Sequence, residues 1–539
     1  VAAVQDDETI TLLDNVTLSA ALAINNGKTF TIDLNGKTLG GADLFLTGSA
    51  FVTATNGTIT GDVWLKTTNE DKTYNSFTLA EDAKIDTARY GIVVTQIEKG
   101  ANNYGSTVNI QGNVTGQESA LWVLGNITTD LQTAKNPVTV NVGPKAKLIN
   151  NDQTKTALQM AGACVVTIAD GAQVTGGTAI EVRAGNLTVN GGTITGTGIP
   201  TTVQPNGDGT STTGAGIGIA QHTTNQPINV TVSNGKISGY TAFFESNPQK
   251  NDETAQAGIT LNITGGNFAA TNGGKNAVSS ESGKTGFISG GTFSDLSALD
   301  YLAEDANVTV KLAADPQKDV VIPANTTVTL DLAGHKLTNV SGHTITNDGT
   351  LTVTGNGTVD NISHGKAALY NNTGATATLN GGTFIRSAEA GTASPNSANG
   401  NSWYTVKNYG TMTINSNTTI TNTGSYSSAV VNGWYDASKA GSNGEPTRTA
   451  DAVLIISGGN ISGGKITVKN DDYGTLSITG GTFTQPTNGL YCIYNANVTS
   501  ISGGTVNGAV GSSNSSVEGD LGKLDITGGT YTSDPSAYV

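Results

Sequence analysis

Two adjacent carboxylates, Asp471 and Asp472 in the segment KNDDYG, are the side chains that come closest to a catalytic arrangement. Glycoside hydrolysis uses a pair of carboxyl groups at a defined separation, and His364 in NISHGK is a possible assisting group. The competing interpretation is a polar turn formed by residues 470–472, because Asn and Asp favour turns. The sequence favours the turn, so no catalytic residue is assigned and the chain is not predicted to be an enzyme.

Metal-binding and phosphate-binding chemistry find little support in the residue pattern. The acidic residues 6–8 stand alone, and the segment around Asp208 lacks the regular acidic spacing of a calcium loop. The four histidines are not spaced as metal ligands: His222, His335, His343 and His364. Glycine-rich turns are not followed by helices that would bind phosphate. The sequence therefore predicts no metal and no cofactor.

Aromatic residues beside long polar segments are the second kind of candidate. Trp403 and Tyr404 in NSWYTV follow the polar segment 387–402, and Trp434 and Tyr435 in NGWYDA lie within the polar segment 425–450. Exposed aromatic rings can stack on sugar faces while Asn and Asp side chains bind the hydroxyl groups, and loops on a rigid scaffold often carry binding sites. The alternative is that these rings cover the wall of the core. These four residues are the predicted carbohydrate-binding residues.

A sequence repeat indicates the strands and turns that would position these residues. The phrase hydrophobic-[Ser/Thr/Asn]-Gly-Gly-[Thr/Asn]-hydrophobic recurs eight times, with its closest copies 22 to 25 residues apart. A period of this size indicates a solenoid. The coil-turn glycines predicted from it are Gly191, Gly192, Gly265, Gly266, Gly290, Gly291, Gly381, Gly382, Gly458, Gly459, Gly480, Gly481, Gly503, Gly504, Gly528 and Gly529.

One copy of the repeat, GTLSITGGTFTQ, shows the period of two that is typical of a strand. Leu476, Ile478 and Phe483 are predicted to point inward, and the glycine pair between them is predicted to turn the corner. The 71 glycines and a charged fraction of only 13% also favour short strands and tight turns over helices. The predicted fold is an all-β, right-handed parallel β-helix with about 22–25 residues per coil.

Two tandem units are predicted to form one rod. The segment around Asp33 resembles the segment around Asp331, and both halves end on a similar Gly-Gly phrase, which suggests units 1–299 and 300–539. The terminal residues Tyr538 and Val539 then occupy the place of Tyr301 and Leu302, where a further unit would begin. Because a solenoid exposes a strand edge at each end, head-to-tail self-assembly is a further prediction. Val1 does not begin a signal peptide, so the chain is expected to be a mature segment or a part of something larger.

Several segments resemble large secreted or wall-attached β-helix surface proteins of gut Firmicutes: TIDLNGKTL, GTVDNISHGKAALYNN, TLNGGTFIRS, NSWYTVKNYGTMTIN and ITGGTFTQ. The resemblance covers most of the chain and implies a pectate-lyase-like β-helix with an adhesin-like role. Such proteins have no agreed catalytic residues. Polygalacturonases on the same fold pair Asp-Asp with Gly-His-Gly, but here the order is reversed and their other motifs are missing. No active site is therefore transferred.

These observations together predict an extracellular or cell-surface structural and adhesive protein, a β-helix stalk or fibre subunit from a Gram-positive bacterium. The alternatives are a glycan-binding adhesin module and a polysaccharide-degrading enzyme. The predicted partners are further copies of the chain and host or microbial glycans. A net charge of −15 argues against nucleic acid, and the absence of a long apolar run argues against membrane insertion.

Overall fold

The computed structural model describes the chain except for residues 2, 68–74, 97–104, 126–136, 202–212, 388–402, 424–426, 436–444 and 514–521. It divides into two compact units, Val1–Tyr301 and Leu302–Val539. Both units are all-β and are built from short strands that pair in parallel with the strands of the next coil. The predicted parallel β-helix is confirmed.

Unit 1 contains three parallel sheets, named 1a, 1b and 1c. A coil of the β-helix supplies one strand to each of these sheets in turn. Sheet 1a contains Glu8–Thr11, Thr29–Asp33, Phe51–Thr55, Ser76–Leu79, Thr107–Ile110, Val138–Val142, Cys164–Ile168, Gly185–Val189, Ile228–Val232, Ile259–Ile263 and Ile288–Phe293. Sheet 1b contains Val16–Thr17, Thr38–Gly40, Gly57–Ile59, Ala83–Thr87, Asn113–Gly116, Lys147–Ile149, Gln173–Gly176, Thr193–Gly196, Lys236–Gly239 and Asn267–Ala270. Sheet 1c contains Leu22–Ile24, Leu44–Leu46, Val63–Thr67, Tyr90–Gln96, Ser119–Gly125, Thr156–Met160, Thr178–Val182, Ile217–Ala220, Phe243–Ser246 and Val278–Ser280. A short α-helix, Glu253–Gln256, and a 3₁₀-helix, Leu296–Tyr301, complete the unit.

Unit 2 repeats this plan with sheets 2a, 2b and 2c. Sheet 2a contains Leu302–Lys311, Thr327–Asp331, Thr350–Thr354, Thr376–Leu379, Thr411–Ile414, Ala452–Ile456, Gly474–Ile478, Val498–Ile501 and Lys523–Ile526. Sheet 2b contains Lys336–Thr338, Thr358–Asp360, Thr383–Ile385, Thr419–Asn422, Asn460–Gly463, Thr482–Thr484, Thr505–Asn507 and Thr530–Tyr531. Sheet 2c contains Val320–Ile322, Ile345–Asn347, Leu369–Asn371, Val406–Asn408, Val430–Asn432, Ile466–Asn470, Tyr491–Asn495 and Val510–Ser512. A 3₁₀-helix spans Ser536–Tyr538.

Alternation along the strands builds the core, as the repeat predicts. Leu476, Ile478 and Phe483 are at most 1% exposed, and Leu476 pairs with the buried Leu454 of the preceding coil. Coil length is less regular than predicted, because Leu454 pairs in turn with Met412, which makes that coil nearly twice as long. Full burial of each such side chain contributes roughly 1.5–3 kcal/mol, so stability accumulates coil by coil.

The two glycines of each predicted turn have different tasks. Gly481 has a φ of 100°, a region that glycine enters without strain, and the second glycine of every predicted pair likewise has a positive φ. A Cβ atom on Gly480 would instead lie 2.5 Å from the carbonyl oxygen of Ser457 in the preceding coil. The second glycine therefore provides the bend, and the first allows close approach of neighbouring coils.

A ladder of buried asparagines runs along sheet 2c at the carboxyl ends of six consecutive strands. The Nδ2 atom of each asparagine donates to the Oδ1 atom of the next one, over distances of 2.7–3.0 Å. The six are Asn347, Asn371, Asn408, Asn432, Asn470 and Asn495, and all are fully buried. Each turn that follows sheet 2c is thereby linked to the turn of the next coil, because buried amides require partners.

Both cysteines, Cys164 and Cys492, are free thiols at buried positions. In the described residues no helix is long and apolar enough to cross a membrane.

Candidate functional site

The predicted aromatic residues come together on the outer side of sheet 2c, in unit 2. Trp403 and Tyr404 precede the strand Val406–Asn408, and Trp434 and Tyr435 follow the strand Val430–Asn432. These two strands are neighbours in the sheet, with Asn408 paired to Asn432. Trp403 packs against the cluster that contains Trp434, and its ring centroid lies 5.3 Å from that of Tyr404.

Trp434 is fully buried and offers no ring face to a ligand in this structure. Its Nε1 atom donates to the carbonyl oxygen of Pro446 at 2.8 Å, and its ring lies 5.0 Å from that of Tyr409. Trp403 is partly buried against the same cluster. Of the four predicted sugar-binding residues, the two tryptophans therefore support the site, and the two tyrosines remain as candidates for contact.

Tyr404 and Tyr435 line a surface cleft of about 180 Å³. Tyr435 is 65% exposed, whereas Tyr404 is partly buried. The other described residues that line the cleft are Ser427, Ser428, Lys465, Ile466 and Lys469. Of the two polar segments that the sequence associates with this site, residues 388–402, 424–426 and 436–444 lie outside the described part of the chain. The cleft is named here the tyrosine cleft.

Lys407 lies beneath the cleft and is fully buried. Its Nζ atom donates to the carbonyl oxygen of Gly433 at 2.7 Å and lies 5.0 Å and 4.4 Å from the ring centroids of Tyr404 and Tyr409. Burial lowers the pKa of Lys407 to about 8, although the carboxylates of Asp471 and Glu445 oppose this. The lysine therefore remains charged at neutral pH and interacts with the faces of both rings.

Glu445 connects this lysine to Tyr435. Its Oε1 atom accepts hydrogen bonds from the Tyr409 hydroxyl at 3.0 Å and from the Tyr435 backbone N–H at 3.2 Å, and lies 3.8 Å from the Lys407 ammonium. The Trp434 side chain also donates to the carbonyl oxygen of Pro446, the residue after Glu445. These hydrogen bonds hold the two ends of the segment 434–446 together. The backbone of Tyr435 is thus positioned although its side chain is exposed.

Lys469 forms one wall of the cleft on the next strand of sheet 2c. Its Nζ atom lies 2.5 Å from the Oδ1 atom of Asp471 and 5.1 Å from the ring centroid of Tyr435. The side chains of Lys469 and Asp471 are 16% and 3% exposed, so most of the ion pair is shielded from water. Loss of either partner would leave a largely buried charge without its counter-ion.

The possible catalytic residues do not assemble around this site. Asp471 is engaged with Lys469, and the backbone of Asp472 forms a two-way bridge with Trp434. His364 is exposed and precedes the strand Leu369–Asn371. That strand is three positions along sheet 2c from the strand that ends at Asn470, so the two strands are about 14 Å apart at the usual spacing. No group of three or more His, Cys, Asp and Glu side chains that could hold a metal ion occurs among the described residues.

Several residues of the site could not be found from the sequence. Ser427, Lys465 and Glu445 lie far from Tyr404 along the chain and reach it only through the pairing of coils. A weak signal exists for Lys407 and Lys469, because both directly precede an asparagine of the ladder. These two lysines occupy one outward column of sheet 2c, with Val431 between them.

A second aromatic group lies on the outer side of sheet 1c in unit 1. It contains two stacked pairs, Phe45 with Trp64 at 5.9 Å and Tyr90 with Trp122 at 4.8 Å. Trp64 and Tyr90 meet edge to face at 6.3 Å, and the Lys66 ammonium lies 4.2 Å from the centroid of Phe45. Because the ring faces are largely used within the group, its arrangement favours packing over sugar stacking.

No protein-family model matches the chain, and neither a curated protein nor a solved structure matches it.

Proposed function

We propose that the protein is an extracellular structural and adhesive surface protein, in which the β-helix is a rigid stalk and the tyrosine cleft binds a sugar residue. Support for the stalk comes from the regular pairing of coils, the close-packed interior and the asparagine ladder. Each coil contacts chiefly its neighbours, so such a scaffold can carry a binding loop without rearranging.

The observation that carries the adhesive part is the arrangement of Tyr435. Tyr435 is 65% exposed, the Lys469 ammonium lies 5.1 Å from its ring centroid, and its backbone N–H is held by Glu445. An exposed ring on a positioned backbone can stack on the apolar face of a sugar at a lower entropic cost than one on a free loop. The serine hydroxyls and lysines of the cleft supply the polar contacts that determine orientation.

The size of the cleft limits what it can hold. Its volume of about 180 Å³ is below the roughly 300–1,000 Å³ that pockets for drug-sized ligands occupy. A single sugar residue, either terminal or within a chain, suits this volume better than an oligosaccharide. Weak single-site binding strengthened by many copies on a surface is then the expected mode of adhesion.

The test is binding of the purified chain to a glycan array. We expect at least one glycan to bind, and we expect Tyr435→Ala to weaken that binding by about tenfold, since stacked aromatic contacts contribute on the order of 1 kcal/mol or more. Tyr538→Ala, a partly exposed tyrosine of the same unit, is the matched control. Absence of binding to every glycan, or equal binding by Tyr435→Ala, would refute the adhesive role.

End-to-end self-assembly of the stalk is a further part of the proposal. An unpaired edge strand can template association with another copy. Negative-stain electron microscopy over a concentration series measures it directly. Filaments that lengthen with concentration are expected, and particles of constant size at all concentrations would contradict self-assembly while leaving the sugar-binding proposal intact.

A further inference from the structure

We infer that unit 1 binds a flexible peptide segment of a partner protein, which adds as an extended strand to an open edge of sheet 1a. The edge belongs to the strand Ile259–Ile263 and lies beside a pocket of about 540 Å³. The site is separate from the tyrosine cleft, which belongs to unit 2. It adds the binding of a protein partner to the proposed function.

Pairing of sheet 1a is interrupted at the strand Ile259–Ile263. On one side this strand pairs along its whole length with the strand Ile228–Val232. On the other side its pairing with the strand Ile288–Phe293 is confined to Ile263. Residues 259–262 are therefore paired on one side only.

Two residues of this edge direct their backbone groups toward the open side. Successive residues of a parallel strand present their N–H and C=O groups to alternate neighbours. The N–H of Ile263 donates to the carbonyl oxygen of Phe287 at 2.8 Å, so Ile259 and Leu261, at alternate positions before Ile263, face the same side. Among the described residues, the N–H and C=O groups of Ile259 and Leu261 have no hydrogen-bond partner. Such an unpaired edge can template pairing with another chain.

Two glycines keep the following coil away from this edge. After the strand Val278–Ser280 the chain forms an irregular segment, residues 281–287, before the next strand begins. Gly283 and Gly286 have φ values of 71° and 72°, in the left-handed region that interrupts a strand. A Cβ atom added to either glycine would have no other atom within 4 Å, so both border open space. The chain itself thus leaves room beside the edge.

The room is sufficient for a short strand. The described residues that line the pocket are residues 259–261 of the edge, residues 282–287 of the irregular segment, and Glu253, Gln256 and Ala257 at the short helix. The volume of about 540 Å³ lies within the roughly 300–1,000 Å³ that is typical of ligand pockets. An extended segment of four residues spans about 13 Å and matches the length of the unpaired edge.

The strand on the paired side shows which peptide fits. Ile228–Val232 has the sequence INVTV, with its apolar residues buried and its two polar residues directed outward. A parallel strand added at the open edge would continue the same columns, so apolar residues are expected at alternate positions. The described strands of sheet 1a belong to coils and cannot leave them without unfolding those coils. The occupant is therefore a flexible segment of another protein, bound by strand addition.

The experiment uses the full chain and the peptide INVTV with blocked termini. Amide hydrogen exchange of the free protein should be much faster at Ile259 and Leu261 than at Ile263, whose N–H is bonded. The peptide should slow exchange at Ile259 and Leu261. Two altered peptides, IVVNT without the alternation and INVTV with methylated backbone nitrogens, should each bind at least about tenfold more weakly, because they lose register or hydrogen bonds.

A substitution connects the binding to the pocket. Ala257 is an exposed residue of the lining, and Ala257→Trp places a large ring in the space that the peptide would occupy. We expect this variant to weaken binding of INVTV by about tenfold or more. Ala21→Trp, at an exposed position that does not line the pocket, is the matched control and should leave binding unchanged.

Several results would overturn the inference. These are no binding of INVTV at millimolar concentration, equal binding of the N-methylated peptide, and protection of other strand edges with none at Ile259 and Leu261. Self-association of the chain that INVTV abolishes would show that the occupant is a second copy, and would overturn the assignment to another protein. Sugar binding by the tyrosine cleft is measured separately on the glycan array and is unaffected by each of these results.

Discussion

Replacing Asn408 by alanine tests whether the asparagine ladder holds the coils of unit 2 together. The side chain of Asn408 takes part in five hydrogen bonds: it donates to Asn432 at 2.7 Å, to the Gly410 carbonyl at 3.1 Å and to the Val453 carbonyl at 3.0 Å. It accepts from Asn371 at 2.7 Å and from the Gly410 N–H at 3.2 Å. Alanine removes all five at a fully buried position.

The expected loss follows from the groups that remain behind. The Oδ1 atom of Asn432 and the N–H of Gly410 lose their bonds to this side chain, and a buried polar group without a partner costs about 1–3 kcal/mol. Asn371 keeps an alternative acceptor in the Thr411 carbonyl and contributes less. We therefore expect the free energy of unfolding to fall by about 3–5 kcal/mol.

Urea denaturation and hydrogen exchange measure different parts of this effect. Because the coils of a solenoid depend mainly on their neighbours, amide exchange should increase in segments 406–414 and 430–433 and remain unchanged in unit 1. Asn460→Ala, at an exposed position of sheet 2b, is the matched control and should change stability by less than about 0.5 kcal/mol. A loss below 1 kcal/mol for Asn408→Ala would refute the reasoning.

Three further predictions concern buried charge and backbone contacts. Arg386→Met should lower the free energy of unfolding by about 3–5 kcal/mol in urea, because the buried guanidinium donates to three loop carbonyls; a loss under 1 kcal/mol would contradict this role. Burial lowers the pKa of Lys407 to about 8, so between pH 8 and pH 10 the unfolded chain binds more protons than the folded chain. The stability of the wild type should therefore rise with pH over this range, by up to about 3 kcal/mol relative to the variant Lys407→Met. Thermal denaturation of both proteins measures this difference. A constant difference between wild type and variant over this range would show that the lysine is not desolvated. Gly480→Ala should lower the melting temperature well below that of Thr484→Ala, because the new Cβ atom would lie 2.5 Å from the Ser457 carbonyl oxygen; equal melting temperatures would mean that the neighbouring coil can move aside.

Much of the fold was predictable because the repeat carries its own physical signal. Alternation around Leu476 and Ile478 identifies the buried face of a strand, and the glycine pair after it identifies a turn. The asparagine ladder also has a signal in the sequence. Asn371, Asn408 and Asn470 each stand at the end of a short strand, and these strands share a similar pattern of apolar residues or contain a lysine. Its role became visible only when the strands were stacked, because single asparagines are common in turns.

The candidate site was only half predictable. The sequence identifies Tyr435 and Trp434 as aromatic neighbours but not which of them is exposed; the structure buries Trp434 against Tyr409 and leaves Tyr435 at the surface. Lys407 lies in an outward column of sheet 2c and yet is fully buried, because the tyrosine rings cover it. Exposure at such positions depends on what the neighbouring coils place above them.

The sequence by itself determined the class of fold and the buried positions, because period-two alternation and glycine turns act over a few residues and repeat along the chain. Only the tertiary structure decided which coils are lengthened, which residues meet across them and where charge accumulates. Tyr404, Ser427 and Lys465 become one cleft because three successive coils are held in register by hydrogen bonds between their strands. Contacts between coils are non-local, so no short stretch of sequence contains them.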